Sequence, residues 1–316
     1  MNLRTLSVIA LSGRDFPDLD AKLSEAVRWV SLAAGEGAQL VVLPELLNRF
    51  SGNGEGNPLL KSCGEMAFDD WEAATAPLIK AAQSLKIWLT IPVLHRDAGV
   101  LYNSFFLVSP EGKPVWRYDK LSPTPSELES GVVPGEVATT YDWQGVRLGG
   151  AICFDTCFSD TFRDQVAQGV DLLLIPSQWP GGSPVSFFCR HYGVRAAVAY
   201  PAWSRIVDID GEPVTEGGYR QESLGFGFGA PVYTATLNFD RVALFGNINQ
   251  RQIIALREKY GDRIKITFDQ PNCLWFLESL DPSLQESAIM EEFGLVSARN
   301  YFQNCKRQVA AARSAV

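Results

Sequence analysis

The sequence predicts a mixed α/β sandwich, in which two β-sheets pack face to face and helices cover their outer surfaces. Short apolar segments of strand length alternate with longer segments whose apolar residues recur at the helical period. Several neighbouring strands are joined by short turns, as in hairpins, so the sheets are not purely parallel. The chain of 316 residues suits one large core, which we place at residues 1–280, followed by a helical extension at residues 281–316.

The first half of the chain opens with a β-α-β unit. Its helix carries apolar residues on one face, because Leu23, Val27 and Val30 follow one another at spacings of four and three. Further along, Pro110 and Gly112 mark a tight turn between two apolar segments, which predicts a hairpin. The predicted elements of this half are strands at 5–11, 40–43 and 87–93, helices at 20–34 and 71–85, and a hairpin of 102–108 with 115–118.

The second half continues the alternation of strands and helices. Its glycine run, Gly225, Gly227 and Gly229, lacks the spacing of a dinucleotide-binding loop, and no helix follows it. We interpret this run as a connector, with a loop beside a pocket as the alternative. The predicted elements are strands at 147–152, 172–175, 204–208 and 232–238, and helices at 159–168, 186–199 and 250–260.

Composition argues against several classes of function. The formal net charge is −8, from 28 Lys and Arg against 36 Asp and Glu, and the cationic residues are scattered. Such a chain lacks the positive surface that binds nucleic acids or anionic membranes, and its apolar runs are shorter than the ~20 residues of a membrane span. Six cysteines without a CxxC pair favour a reducing cytoplasm over a disulfide framework or a zinc site. The two histidines, His95 and His191, lie in no recognisable catalytic or metal motif.

Three strand ends carry side chains that could perform chemistry. Cys153 ends an apolar strand just before a predicted helix, whose N-terminus would lower the pKa of the thiol and whose backbone N–H groups could bind an oxyanion. Glu45 and Lys120 each follow a strand, where sheet enzymes place functional groups. Taken singly, each residue has an ordinary alternative: a cysteine packed in the core, a solvated glutamate and a surface lysine.

In combination, the order and spacing of these residues resemble the nitrilase superfamily of carbon–nitrogen hydrolases, in its amidase-like branch. The resemblance covers about residues 3–245. It implies a four-layer α-β-β-α sandwich and a homodimer or higher homo-oligomer. The motifs that carry it are Pro44-Glu45, Tyr102-Asn103-Ser104, Tyr118-Asp119-Lys120, the segment 150–155, and the segment 172–177 followed by Trp179-Pro180.

The resemblance also implies roles for individual residues. Cys153 would be the nucleophile, Glu45 the general base, and Lys120 the cation that stabilises the tetrahedral oxyanion, with the backbone N–H of Phe154 as a second donor. Glu127 ends a Lys-Leu-x-Pro-Thr-x-x-Glu pattern that begins at Lys120, and it would position the substrate or assist the leaving amine. No metal or organic cofactor is implied, because a thiol, a carboxylate and an ammonium suffice for this chemistry.

The expected substrate is a small linear amide, which is cleaved with release of ammonia through a thioester. Phe154-Asp155 after the cysteine favours an amidase over a nitrilase, which commonly carries Trp there. Hydrolysis of a nitrile or of an N-carbamoyl amide remains an alternative, as do an acyltransferase that uses the same thioester and a non-catalytic scaffold. The expected substrate-binding side chains are aromatic, namely Phe154, Trp179 and Trp203.

The sequence departs from the family pattern at several positions. Asp119 stands where many members carry Arg, and segment 199–203 replaces the usual Asn-containing glycine-rich segment, which predicts a shortened pocket wall. Arg190 and Arg195 are candidates for binding a substrate carboxylate, with structural salt bridges as the alternative. Residues from Asn247 onward have no counterpart that we can place, and their Trp275-Phe276 pair is interpreted as tail packing or a lid.

Overall fold

A computed structural model describes residues 1–11, 16–50, 62–218 and 231–314. Two six-stranded sheets form the body of the molecule, and a three-stranded sheet with helices follows them. The strands are β1 (Leu3–Ile9), β2 (Leu40–Val42), β3 (Trp88–Asp97), β4 (Val100–Val108), β5 (Pro114–Asp119), β6 (Tyr141–Trp143), β7 (Val146–Gly150), β8 (Leu172–Pro176), β9 (Arg195–Ala199), β10 (Ser204–Val207), β11 (Pro213–Gly217), β12 (Val232–Asn238), β13 (Arg241–Phe245), β14 (Ile264–Asp269) and β15 (Leu274–Ser279). The helices are α1 (Leu19–Gly35), α2 (Cys63–Met66), α3 (Trp71–Ala74), α4 (Ala76–Leu85), α5 (Pro125–Glu129), α6 (Ser159–Ala167), α7 (Gly182–Tyr192), α8 (Gly246–Tyr260), α9 (Glu286–Phe293) and α10 (Ala298–Ser314).

The two large sheets have similar internal order. The first runs β12-β1-β2-β3-β4-β5 and the second β11-β10-β9-β8-β7-β6. In each sheet three neighbouring strands are parallel, with β2 paired to both β1 and β3 in the first and β8 paired to both β7 and β9 in the second. Antiparallel strands lie on both sides of these three. Because the carboxyl ends of neighbouring parallel strands meet at one edge of a sheet, the loops that follow β2 and β7 are suited to hold a site.

The core has the predicted four-layer arrangement. One buried cluster joins the inner faces of the two sheets, and includes Leu6 and Leu40 from the first and Leu148 and Leu174 from the second. A second cluster packs α1 and α4 on the outside of the first sheet, and a third packs α6 and α7 on the outside of the second. The sandwich and its helical C-terminal extension are therefore confirmed.

The predicted helix at 186–199 is wrong in its second half. Helix α7 ends at Tyr192, and Gly193 has a φ of 62°, the left-handed conformation that commonly terminates helices. The following residues, Arg195–Ala199, form β9, which is buried along its whole length between β8 and β10. Alanine is a strong helix former, so local propensity favoured a helix here, and burial in the middle of a sheet overrides that preference.

A three-stranded sheet after residue 240 is absent from the sequence-based prediction. Its order is β13-β15-β14, with the Trp275-Phe276 pair on the central strand. Phe276 is buried against this sheet, so the pair contributes to packing of the C-terminal region.

The division at residue 280 stays a prediction, and the glycine run at 225–229 lies outside the described residues. Within the described ranges, no helix is both long enough and apolar enough to cross a bilayer.

Two glycines at the end of β7 allow close packing on both faces of the strand, Gly150 against the other sheet and Gly149 against helix α6. A Cβ placed on Gly150 would lie 2.6 Å from the ring of Tyr118 and 2.9 Å from Phe105, and both rings are fully buried. A Cβ on Gly149 would lie 2.3 Å from the side-chain oxygen of Gln165. Since β7 leads directly to Cys153, these close contacts determine where the turn that follows the strand lies.

We therefore expect Gly150→Ala to lower the free energy of unfolding by about 1 to 3 kcal/mol, because the extra methyl group overpacks the core. The shift of Tyr118 would also disturb Asp155, to which its hydroxyl donates a hydrogen bond of 3.1 Å. Urea unfolding measures the change. Gly35→Ala is the matched control, because a Cβ there has no neighbour within 4 Å, and an equal loss in both variants would contradict the explanation.

Candidate active site

The loops after β2, β5 and β7 bring the predicted residues together. Glu45 follows β2, Lys120 directly follows β5, and Cys153 follows β7. Lys120 Nζ lies 2.9 Å from Oε1 of Glu45 and 2.8 Å from Oε2 of Glu127. Cys153 lines the same cavity as these three side chains. The four residues that the sequence analysis groups together therefore lie together in the structure.

Glu45 is held rigidly at the end of its strand. Its side-chain Oε1 accepts hydrogen bonds from Asn103 Nδ2 at 2.8 Å and from Lys120 Nζ at 2.9 Å. Its backbone carbonyl accepts one from Gln178 Nε2 at 2.7 Å, which links the two sheets across the site. The side chain is only 2% exposed. Among the described residues, both hydrogen bonds to this carboxylate end on Oε1.

Glu127 is fixed by the start of a short helix. Thr124 precedes α5 and forms a capping box with Glu127, in which the Thr124 backbone N–H and hydroxyl donate to Glu127 Oε2 at 2.7 and 2.9 Å. Asn103 Nδ2 donates to Glu127 Oε1 at 2.7 Å. A carboxylate that accepts this many hydrogen bonds has little freedom to move. It therefore provides a fixed negative charge beside the Lys120 ammonium.

The electrostatics of the two carboxylates keep Lys120 charged. Burial by itself lowers the pKa of Lys120, but the negative charges of Glu45 and Glu127 outweigh it and raise the pKa above its ordinary value. In the same way, burial raises the pKa of Glu127, and the charge and hydrogen bonds of Lys120 more than reverse this and lower it. Lys120 is therefore a permanent cation at the centre of the site.

Cys153 is the first residue of a 3₁₀ turn, Cys153–Cys157, and has a φ of 48°. A non-glycine residue in this region is strained, by about 1 to 3 kcal/mol, and such strain is common at functional positions. The predicted lowering of its pKa is wrong. Burial and the negative charge of Glu45 raise the pKa of Cys153, and Lys120, the Gln178 N–H and the Ser177 hydroxyl only partly offset them. Because α6 begins six residues later, at Ser159, its dipole does not act directly on the thiol.

Asp155 connects the turn at Cys153 with the loop at Lys120. Its Oδ2 accepts hydrogen bonds from the Ile152 N–H at 2.9 Å and the Tyr118 hydroxyl at 3.1 Å, and its Oδ1 accepts one from the Ser122 N–H at 2.6 Å. The residue is fully buried, and this burial raises the pKa of its carboxyl group. Asp155 therefore sets the relative position of the Cys153 turn and the Lys120 loop without lining the cavity.

The cavity at the site has a volume of about 230 Å³. This is small compared with pockets for drug-sized ligands, about 300 to 1,000 Å³, so a small substrate fits best. Its lining combines charged, hydroxyl-bearing, sulfur-containing and apolar side chains: Glu45, Leu46, Arg49, Cys63, Met66, Lys120, Thr124, Ser126, Glu127, Ser130, Cys153 and Gln178.

The three predicted aromatic substrate-binding residues are not part of this lining in the described structure. Phe154 packs edge-on against Phe158, at 5.3 Å between ring centroids. Trp179 is 52% exposed, and the indole N–H of Trp203 donates to Glu216 at the surface. A role for Phe154, Trp179 and Trp203 in substrate binding stays a prediction, without support from the cavity.

Arg190 and Arg195 lie away from the site cavity and form salt bridges. Arg190 pairs with Glu212. Arg195 lies on β9, where its Nε is 3.0 Å from Asp208 Oδ1 and its Nη2 donates to the Asn238 carbonyl. Arg195 also lines a second cavity of about 260 Å³ beside the C-terminal helices, which contains none of the predicted site residues. Of the two interpretations in the sequence, the salt bridges are confirmed.

Sequence reasoning assigned no role to three residues of the site. Asn103 bridges Glu45 and Glu127, Gln178 lines the cavity opposite β2, and Arg49 adds a cation to its lining. A signal existed for Asn103, since an amide inside the otherwise apolar strand β4 must find partners when it is buried. Over the described ranges, no group of three or more His, Cys, Asp or Glu side chains is arranged to hold a metal ion.

Comparisons with known proteins show which family the chain belongs to. The sequence profile described as carbon-nitrogen hydrolase matches residues 6–244. Among curated proteins, the chain is 29% identical over 171 residues to an (R)-stereoselective amidase of a Pseudomonas species, covering 54% of this chain and 58% of that protein. It is also 29% identical over 160 residues to a nitrilase of Pyrococcus abyssi, covering 50% and 59%. The matches thus span between half and two thirds of the length of these relatives.

A solved structure shows the same fold. It is a mutant of the amidase from Nesterenkonia sp. AN1 that shows Michael addition of acrylamide at its active site cysteine. The two chains superpose with a TM-score of 0.61 and 22% identity, over 74% of this chain and 93% of the other. Since the family profile also matches most of this sequence, from strand β1 to strand β13, the protein belongs to the carbon–nitrogen hydrolase family.

Proposed function

We propose that the protein is an amidase, which hydrolyses the carbon–nitrogen bond of small linear amides and releases ammonia through a thioester on Cys153. The observation that carries this proposal is the convergence of a thiol, a carboxylate and a permanently charged ammonium on one small cavity. The two curated relatives described above and the similar solved structure are named as amidases or nitrilases, and that structure, of a mutant amidase, shows Michael addition of acrylamide at the active site cysteine.

The first half of the reaction forms the thioester. Because the pKa of Cys153 is raised, the resting residue is a thiol, and Glu45 Oε2 takes its proton as the sulfur attacks the carbonyl carbon. The carbonyl oxygen becomes an oxyanion, which the Lys120 ammonium and the Phe154 backbone N–H stabilise. Collapse of this intermediate breaks the C–N bond, and the nitrogen takes the proton from Glu45 and leaves as ammonia.

The second half returns the enzyme to its resting state. Glu45, now a carboxylate again, takes a proton from a water molecule that attacks the thioester carbonyl. The C–S bond breaks, the carboxylic acid leaves, and Cys153 regains its proton. Glu127 holds Lys120 in place through both halves of the reaction. We further propose that Glu127 lies close to the leaving amine.

The amidase proposal is tested by measuring ammonia release from matched amides, nitriles and ureido compounds. We expect release from short aliphatic amides, and a hydroxamate product when hydroxylamine is added, because hydroxylamine intercepts a thioester. Release from nitriles alone would favour a nitrilase, and release from ureido compounds alone would favour an N-carbamoyl amide hydrolase. No reaction with any compound, together with an unreactive Cys153, would contradict an enzymatic role.

We also propose that the protein forms a homodimer through the helices beside the nucleophile. Large aromatic side chains are exposed there, since Phe158 at the start of α6 is 43% exposed and Phe187 on α7 is 57% exposed. Burial of such side chains is a common driving force for association. Light scattering tests this proposal: the double variant Phe158→Ser/Phe187→Ser should shift the molar mass from dimer toward monomer, and a monomeric wild type would contradict it.

A further inference from the structure

The second cavity, of about 260 Å³, lies at the end of the second sheet that is opposite to the site cavity. Asp171 directly precedes β8 and Arg195 begins β9, and both line the second cavity. Gln178, which lines the site cavity, instead follows the end of β8. The facing wall comes from the C-terminal helices, with Glu286 on α9 and Arg299 on α10. A ligand in the second cavity would therefore contact both the sandwich and its C-terminal extension.

Two of the three arginines that line the second cavity are already paired with carboxylates. Arg195 Nε lies 3.0 Å from Asp208 Oδ1. Arg241 forms one salt bridge with Asp208 and a second, of 2.9 Å, with Asp210. The protein itself thus balances these two positive charges, and neither of them needs a ligand.

Arg299, the third arginine, is less well balanced. Its Nε and Nη2 donate to the backbone carbonyls of Tyr192 and Gly193, both at 3.3 Å. Its Nη1 lies 3.9 Å from Asp171 Oδ1, which is too far for a hydrogen bond, and its side chain is 17% exposed. Burial lowers the pKa of Arg299, and the nearby carboxylates of Asp171 and Glu286 do not reverse this effect. A ligand carboxylate beside Nη1 would supply the missing negative charge.

Glu286 has the opposite unbalanced charge. Within the described part of the chain, its half-buried carboxylate has neither a hydrogen bond nor a salt bridge, although it lines the cavity. Burial and the negative charges of Asp240 and Asp171 raise the pKa of Glu286 to about 7. The positive charges of Arg195 and Arg299 offset this only in part. Because a partly desolvated carboxylate without a partner costs free energy, a bound cation would stabilise it.

We propose that the second cavity binds a small zwitterion, an α-amino acid, whose carboxylate contacts Arg299 and whose ammonium group contacts Glu286. Such a ligand brings one group of each sign and no net charge, so it supplies a partner to both residues at once. A guanidinium matches a carboxylate with parallel hydrogen bonds. The side chain of the amino acid lies against the apolar part of the lining, Phe239, Val242 and Met290. This site does not depend on the proposed amidase activity.

The test compares three related ligands by calorimetry with the full chain at about pH 8, above the pKa of about 7 of Glu286. Leucine carries both charges, 3-methylbutylamine lacks the carboxylate, and 4-methylpentanoate lacks the ammonium group. We expect wild type to bind leucine about 10- to 100-fold more tightly than either analogue, the range of one charge-assisted pair. Equal affinities for the three ligands, or no binding of either leucine or the smaller glycine, would overturn the proposal.

Two variants assign the two contacts separately. Glu286→Gln should remove the preference for leucine over 4-methylpentanoate and keep the preference over 3-methylbutylamine, and Arg299→Gln should do the reverse. Glu291→Gln on α9 and Arg307→Gln on α10 are the matched controls, because both residues are exposed and lie outside the lining, and both variants should keep both preferences. Since the ligands are compared within each variant, a general loss of stability would not produce this pattern. Preferences that persist in both Glu286→Gln and Arg299→Gln would overturn the proposal.

Discussion

Cys153→Ala is expected to reduce amide hydrolysis by at least about 1,000-fold, because the proposed thioester forms on the sulfur of this residue. Ammonia release should fall to the background rate for each amide that the wild-type protein accepts. Stability should change little, since the thiol lines a cavity and the smaller side chain removes few packing contacts. Alanine also relieves none of the strain at this φ of 48°, so a large gain in stability is not expected.

Cys157→Ala is the control for this experiment. Cys157 lies in the same 3₁₀ turn, is exposed, and is absent from the lining of the site cavity. Its replacement should leave ammonia release unchanged. Full activity in Cys153→Ala, or equal losses in the two variants, would contradict the assignment of the nucleophile.

Lys120→Met is expected to abolish activity and to destabilise the fold by about 3 to 5 kcal/mol, because it leaves two buried carboxylates without their cation. In the proposed mechanism, loss of the ammonium also removes the main stabiliser of the oxyanion, which by itself costs about 100- to 1,000-fold in rate. Thermal unfolding and ammonia release measure the two effects. A destabilised but active variant would contradict the assignment of Lys120 to the oxyanion.

The stability loss should depend on pH in a defined direction. In the wild-type protein, Lys120 lowers the pKa of Glu127, so the Glu127 carboxylate stabilises the fold above its unfolded pKa of 4.5, and this contribution is lost as the pH falls. Without Lys120, burial raises the pKa of Glu127 above 4.5, and stability is lost as the pH rises through the new value. The difference in Tm between wild type and Lys120→Met should therefore be larger at about pH 8 than at about pH 4.

A second substitution separates the two consequences of losing Lys120. Lys120→Met/Glu127→Gln removes one of the buried charges, so it should regain part of the lost stability and reduce the pH dependence of Tm. It should regain no activity, because the oxyanion still lacks its cation. Recovery of activity in the double variant would show that repulsion between the carboxylates, and not the missing ammonium, had impaired the reaction.

The sequence predicted the parts of this structure that depend on local pattern. The strand before Glu45, the hairpin that ends at Lys120 and the glycine-rich strand before Cys153 are all present, because each is a short apolar segment bounded by turn residues. The clustering of the thiol, the carboxylate and the ammonium was implied by the family resemblance, since each of the three residues had an ordinary alternative when taken singly. The family resemblance also supplied the four-layer arrangement of the sandwich.

Other features depend on contacts that no local pattern encodes. The segment Arg195–Ala199 has a composition typical of a helix and becomes a strand only because it is buried between two others. The raised pKa of Cys153 results from burial together with Glu45, which lies in the other sheet. The Arg49 carbonyl, in the segment that follows Glu45, accepts a hydrogen bond from Lys22 on α1, which is 27 residues away in sequence. In each case the decisive partner is remote in sequence.

The central claim is that an acyl group is transferred from the amide to the sulfur of Cys153. Mass spectrometry of the protein, after rapid acid quenching during turnover and digestion to peptides, tests this claim most directly. We predict that the peptide containing Cys153 gains the mass of the substrate less ammonia, and that hydroxylamine removes the added mass. Ammonia release without such an adduct under conditions that preserve thioesters, or an adduct on Cys63 instead, would contradict the account.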